Sequence, residues 1–195
     1  MRTFLYHLWS KFITFIGDIK FFGWKQPFWF VFNASGYKLK GEHYREVIKL
    51  IKDGDILLSR SLQYIDTYLI PGYWTHAGLF YGGDKKQVIH AISDGVLVED
   101  IINFMRTDEL LILRAPQEHV ERALALAKSV VGKEYDFIFD FNNSNRFSCS
   151  ELIYFCYPKL IKPRKKFGKT IVVADDILYS RNFDIIWDSR FNGGQ

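Results

Sequence analysis

The residues of this 195-residue chain best suited to nucleophilic chemistry are a cysteine at the start of a helical run and two histidines in neighbouring strand-like segments. Cys149 follows the polar stretch Asn142-Asn143-Ser144-Asn145 and opens onto Glu151-Leu152-Ile153-Tyr154-Phe155-Cys156. A cysteine at a helix N-terminus meets unpaired backbone N–H groups and the positive end of the dipole, and both favour thiolate over thiol. Cys156 lies two turns further along the same helix and reads as a small buried hydrophobe. A cysteine nucleophile needs a base, and five histidines are available. His7, His43 and His119 sit in helical or loop contexts without a partner and read as structural. His76 and His90 fall in adjacent strand segments joined by Gly82-Gly83-Asp84. If those three residues form the loop, Phe80 pairs with Lys86 and His76 lies directly opposite His90 on one sheet face; a two-residue loop would place the rings on opposite faces. Paired imidazoles can divide the work, one taking the thiol proton and the other fixing its orientation. The plainer alternative is a pair of hydrogen-bonded core histidines.

The elements that must position these groups follow from hydrophobic period and turn signals. Segments 55–60, 75–81, 87–93, 96–99 and 110–114 read as strands. Segment 118–131 has helical spacing and stops at Gly132. A second helix begins near Cys149 and ends before Pro158, and a last one begins near Asp175, followed by a strand over 184–187. A short helix over 43–52 leads into this body. Lys162-Pro163-Arg164-Lys165-Lys166 reads as an exposed linker interrupted by Pro163 and Gly168. Strands first and flanking helices after predict an α+β domain on an antiparallel sheet.

Composition narrows the classes further. Hydrophobic residues are 48% and charged residues 25%, an ordinary globular balance, and two cysteines cannot build a disulfide framework. Metal-ligand spacing, a Walker loop and a dinucleotide fingerprint do not occur in the sequence, so no cofactor is expected. Residues 1–50 hold eight Lys/Arg against three Asp/Glu, a balance of +5, which leaves the other 145 residues at −1 of the formal +4. The positive charge therefore belongs to the N-terminal segment, and a nucleic-acid partner loses its support. That segment is also aromatic, with Trp9, Phe12, Phe15, Trp24, Trp29 and others clustered in residues 1–32. Leu5, Leu8, Trp9, Phe12, Phe15, Ile16 and Ile19 follow helical spacing, while Lys11, Asp18, Lys20 and Lys25 keep the stretch too broken for a membrane span. An amphipathic helix here either lies in a membrane interface or packs on protein, in this chain or a second copy. With no leader-type cleavage site, the compartment expected is the cytoplasm or a membrane periphery. The chain divides into residues 1–50, an aromatic, basic appendage, and 51–195, the catalytic domain.

Four stretches carry a family resemblance: Thr75-His76-Ala77-Gly78-Leu79-Phe80-Tyr81, Val88-Ile89-His90-Ala91, Asp94-Gly95-Val96, and Phe147-Ser148-Cys149-Ser150-Glu151-Leu152-Ile153. Together they resemble the circularly permuted branch of the NlpC-type papain-fold cysteine hydrolases. The nearest likeness is to YiiX-like proteins, with the lecithin retinol acyltransferase-like enzymes as cousins. Gly54-Asp55-Ile56-Leu57-Leu58-Ser59-Arg60 and Asp175-Asp176-Ile177-Leu178 extend it over about residues 50–190. The resemblance implies a permuted papain-like fold, Cys149 as nucleophile, His76 as base and His90 as the orienting third residue. It also matches Tyr135 to a tyrosine that precedes the cysteine and lines the oxyanion site. Histidine at position 90 is more typical of the acyltransferase cousins. Glu99 is an alternative orienting carboxylate, set apart by its odd separation from Val96. Tyr73 and Trp74 are either a specificity wall or core cover, and Arg146 either binds an acidic substrate group or solvates its loop. The function expected is hydrolysis of an amide in a short peptide or cell-wall-type substrate, or in an amino-acid amide, through a thioester on Cys149. The alternatives are a lipid-directed acyltransferase, thioesterase or phospholipase taking an acyl-lipid at a membrane surface, and an inactive binding module.

Overall fold

The computed structural model describes residues 19–21, 30–32, 36–62, 70–136, 145–166 and 168–192. Two compact units divide between Gly36 and Tyr37. Within the first, β1 (Ile19–Phe21) pairs antiparallel with β2 (Phe30–Phe32), Ile19 opposite Phe32. The predicted amphipathic helix lies outside the described residues except for Ile19, which begins this strand. Among the described residues no helix is long and apolar enough to cross a membrane.

The second unit opens with α1 (Gly41–Leu50), which buries Val47 completely and receives the Trp187 indole N–H on Glu46 at 3.3 Å. This helix, assigned from sequence to the appendage, therefore packs with the larger unit, because its one fully apolar stripe has a core to meet. There follow β3 (Ile56–Arg60), β4 (His76–Tyr81), β5 (Gln87–Ile92), β6 (Gly95–Asp100), the one-turn α2 (Ile101–Phe104) and β7 (Glu109–Arg114). After α3 (Val120–Ser129), β8 (Glu134–Tyr135) runs parallel to β9 (Arg146–Phe147) ahead of α4 (Cys149–Cys156). The chain ends in a hairpin of β10 (Arg164–Lys166) and β11 (Lys169–Ile171), α5 (Ala174–Tyr179), β12 (Asp184–Asp188) and α6 (Ser189–Asn192). The basic run expected to be a linker is thus half of a hairpin, its turn made by Gly168 at φ 76°.

Six strands form one antiparallel sheet in the order β12-β7-β3-β4-β5-β6. Strands β3 and β7 are interior and covered on both faces, which is why Ile56-Leu57-Leu58 and Leu110-Leu111-Ile112-Leu113 are unbroken buried apolar runs. Alternation assigns the faces: Leu58, Ala77, Leu79, Ile89 and Leu111 pack under α3, α4 and α5, whereas Leu57, Phe80, Val88 and Ile112 pack with Val47, Phe104 and Trp187. An ion pair fastens the start of β3 to the end of β7. Asp55, 1% exposed, accepts from Arg114 Nε and Nη2 at 2.8 and 2.6 Å.

The β4–β5 register differs from the expected one. Tyr81 pairs with Gln87, so the loop spans residues 82–86 rather than three residues, because Lys86 takes a left-handed conformation (φ 50°) and cannot begin the strand. Gly78, not His76, then faces His90. The shift is two residues, so both imidazoles keep the same face, as diagonal neighbours. Gly78 has little room: a Cβ there would sit 2.6 Å from Val88 Cγ1 and 2.7 Å from Phe104 Cε2. Gly78→Ala is expected to cost about 1–3 kcal/mol through overpacking, seen as a lowered denaturant midpoint. An unchanged midpoint would contradict this packing.

Candidate active site

His76 begins β4, and the segment before it is clamped from across the fold. The Asp175 carboxylate, 6% exposed, accepts the backbone N–H of both Tyr73 and Trp74 at 2.8 Å. Gly72, at φ 115°, allows that approach, since a Cβ there would meet the same carboxylate at 2.9 Å. Cys149 is the first residue of α4, and Ser148 caps it. The Ser148 hydroxyl accepts from Glu151 N at 3.4 Å while Glu151 accepts from Ser148 N at 2.8 Å. Ser150 donates to Val172 O at 2.6 Å and pins the same turn.

A cavity of about 600 Å³ joins these elements at one end of the sheet, with Cys149, His76, His90, Tyr135, Glu99 and Arg106 in its lining. His76 Nε2 and His90 Nδ1 are 2.9 Å apart, and His90 Nε2 is 3.2 Å from Glu99 Oε2, close but off the line of a hydrogen bond. The register explains the row. His90 is level with Gly78 on β4 and Leu97 on β6, so His76 lies two residues to one side and Glu99 two to the other, a diagonal across three strands. Phe104 packs on both rings, with centroids 5.4 and 5.3 Å away. Measured against Leu97, Glu99 shares the imidazole face; Val96 was the wrong reference. Among the described residues the Cys149 sulfur makes no side-chain hydrogen bond. The backbone amides of Ala77, Ser150 and Cys149 itself point at it, and Ala77 is the residue after His76.

Burial sets the protonation states. Desolvation, then the His90 charge, pushes His76 down to about 3, and desolvation pushes His90 down to about 4. The thiol of Cys149, at 8% exposure, rises to about 11. Desolvation leads that rise; the three amides pull the other way, and Glu151 adds to the rise. The helix N-terminus thus acts in the expected direction but is outweighed, and the resting pair is neutral thiol and neutral imidazole. Cys156, in the core of α4, is raised further by burial.

The remaining expected residues divide. Tyr135 lines the cavity. Trp74 does not; at 1% exposure it is core, packed with Leu58 and Leu79. Tyr73 is not in the lining either: it is exposed, its hydroxyl on Glu109 and its ring under Arg60. Arg146 is turned to Glu134 at 2.9 Å on the surface, away from the lining. These placements accord with the core-cover reading of Trp74 and the loop reading of Arg146, since neighbours in the fold already engage these side chains. Among the described residues no group of three or more His, Cys, Asp or Glu side chains is placed to hold a metal ion.

A neutral thiol predicts a particular alkylation profile. The iodoacetamide rate at Cys149 should climb through about pH 8–10 without levelling at neutrality. A rate constant from about pH 5 to 8 would indicate a thiolate–imidazolium pair and contradict these protonation states.

Comparison with known proteins fits this geometry. No curated protein sequence matches the chain. A solved structure similar to it is that of the metalloprotein YiiX from Escherichia coli O157:H7, with a TM-score of 0.61 and 16% identity over 71% of this chain and 97% of that one. At that identity the likeness is one of fold. Residues 50–185 match the model of the permuted papain-like amidase enzymes, YaeF/YiiX, C92 family. That span covers the whole six-stranded sheet but for the last residues of β12, together with the Cys149 helix, and the chain belongs to this family of permuted papain-like amidases.

Proposed function

We propose that the protein is a cysteine amidase in which Cys149 is the nucleophile, His76 the general base, and His90 with Glu99 the groups that hold His76 in its working tautomer. The observation that carries this is the row His76–His90–Glu99 ending in the cavity that Cys149 also lines. An ionised Glu99 beside His90 Nε2 favours a proton on that nitrogen. His90 Nδ1 is then an acceptor, so His76 Nε2–H donates to it, and His76 Nδ1 is left bare to receive a proton. The reverse polarity would set a bare nitrogen against a carboxylate and leave His76 unable to act as a base.

The steps follow from these roles. His76 Nδ1 takes the Cys149 proton as the sulfur attacks the amide carbon, in one movement, because neither ion is stable alone at this depth. Catalytic contacts of this kind commonly tighten only when substrate is bound, and the scheme requires the sulfur and His76 Nδ1 to come within hydrogen-bond reach in that complex. The first amides of α4, with Tyr135 nearby, receive the developing oxyanion. His76 then protonates the leaving amine, a thioester remains on Cys149, and water activated by the same imidazole releases the acid. The lining joins serine, threonine and asparagine side chains with Ile70, Ile92, Phe104 and Tyr135, a mixed surface suited to a small amide with both polar and apolar parts.

Incubation with N-acyl amino-acid 4-nitroanilides, followed by rapid acid quench and mass spectrometry, tests the scheme. An acyl adduct should appear on Cys149 and be removed by hydroxylamine. Cys149→Ala should abolish turnover, and His76→Ala should lower kcat by about 10²–10⁴. Turnover that survives Cys149→Ala would overturn it.

A further inference from the structure

Among the described residues two charged side chains line the cavity, and they are differently engaged. Glu99 directs an oxygen at His90. Arg106 forms no ion pair among the described residues. Its guanidinium lies 5.5 Å from the centroid of the Tyr37 ring, a contact that holds a cation without neutralising it.

The turn that presents Arg106 is rigid. Thr107 Oγ1 donates to Arg60 O at 2.8 Å and lies 3.1 Å from Ser61 Oγ. Next to it the buried Asp108 accepts the amides of Leu62 and Lys38 at 2.7 and 3.1 Å. Ser61, Asn103 and Thr107 supply neutral hydrogen-bonding groups on the same wall. Arg106 is exposed, and Glu99, though near enough to feel its charge, directs its oxygen at His90 instead; a guanidinium outside any ion pair is half of one, and its planar fork matches a carboxylate. A cavity of about 600 Å³ is large enough to hold a small ligand's reacting end at Cys149 and its other end at Arg106 together.

We infer that Arg106 determines specificity: the cavity selects amides that carry a free carboxylate, gripped by this guanidinium while the scissile carbonyl lies at Cys149. The inference rests on the amidase reading of the same site. It also replaces Arg146, whose charge is already met by Glu134.

Two compounds differing at one group test it: succinyl-alanine 4-nitroanilide and its terminal carboxamide. The wild type should favour the carboxylate by about 10- to 100-fold in kcat/KM, mainly through KM. Arg106→Ala should bring that ratio towards one, Arg106→Glu should invert it, and Arg106→Lys should restore part of it. Arg106 also lies close enough to Glu99 to oppose the rise that desolvation gives its carboxyl. A role confined to Glu99 would lower kcat on both compounds alike and leave the ratio unchanged, and that result would overturn the inference. Binding of the same pair to Cys149→Ala, followed by calorimetry, separates this from the catalytic scheme. A carboxylate preference that is lost with Arg106→Ala supports the inference even if neither compound is turned over, and equal binding of the pair refutes it.

Discussion

The hydrogen bond between His76 Nε2 and His90 Nδ1, at 2.9 Å, is the interaction on which the proposed chemistry depends. It determines which nitrogen of each ring carries a proton, and through that whether His76 can accept one. The surrounding structure holds it from several directions. Asp175 clamps the chain entering β4, Gly78 lets Val88 and Phe104 come close, and Phe104 packs on both imidazoles. Each contact comes from a different part of the sequence, so the pair exists only in the folded sheet.

Burial and charge pull against each other throughout the site. The amides at the start of α4 stabilise a thiolate, but desolvation of a nearly buried sulfur is larger, and it likewise keeps both imidazoles neutral. A neutral resting site is protected from stray oxidation and alkylation, because the thiol is far less reactive than the thiolate. In the proposed scheme charge develops only when a bound carbonyl is attacked, and the helix amides that now face the sulfur are the nearest donors for it. Glu151 adds a tension of its own, since the carboxylate that completes the helix cap also disfavours a negative sulfur.

Much of this was legible in the sequence, and what was missed has physical reasons. The strands showed because central ones are apolar throughout, and Cys149 showed because a polar loop gives way to a helical run, with Ser148 and Glu151 spaced as a capping box that would have sharpened the boundary. The shared face of His76 and His90 was readable because parity survives a two-residue shift. The shift itself was not, since it turns on one backbone angle at Lys86. The place of Glu99 beside His90 was hidden because it runs through the pairing of His90 with Leu97, and register is a tertiary fact. Tyr73, Trp74 and Arg146 look like substrate contacts in one dimension, and their partners Glu109, Leu58 and Glu134 appear only in three. The titration behaviour of Cys149 was hidden for the same reason: a helix terminus is visible in sequence, and the depth at which it is buried is not.

The tautomer of His76 is the most direct point of contact with experiment. Nitrogen-15 NMR of the ring nitrogens in ¹⁵N-histidine-labelled protein at neutral pH distinguishes protonated from bare positions, with His76→Gln and His90→Gln supplying the assignments. Two neutral rings are expected, each protonated at Nε2 and bare at Nδ1. A proton on His76 Nδ1, whether in the other neutral tautomer or in an imidazolium, would rule out His76 as the base proposed for Cys149.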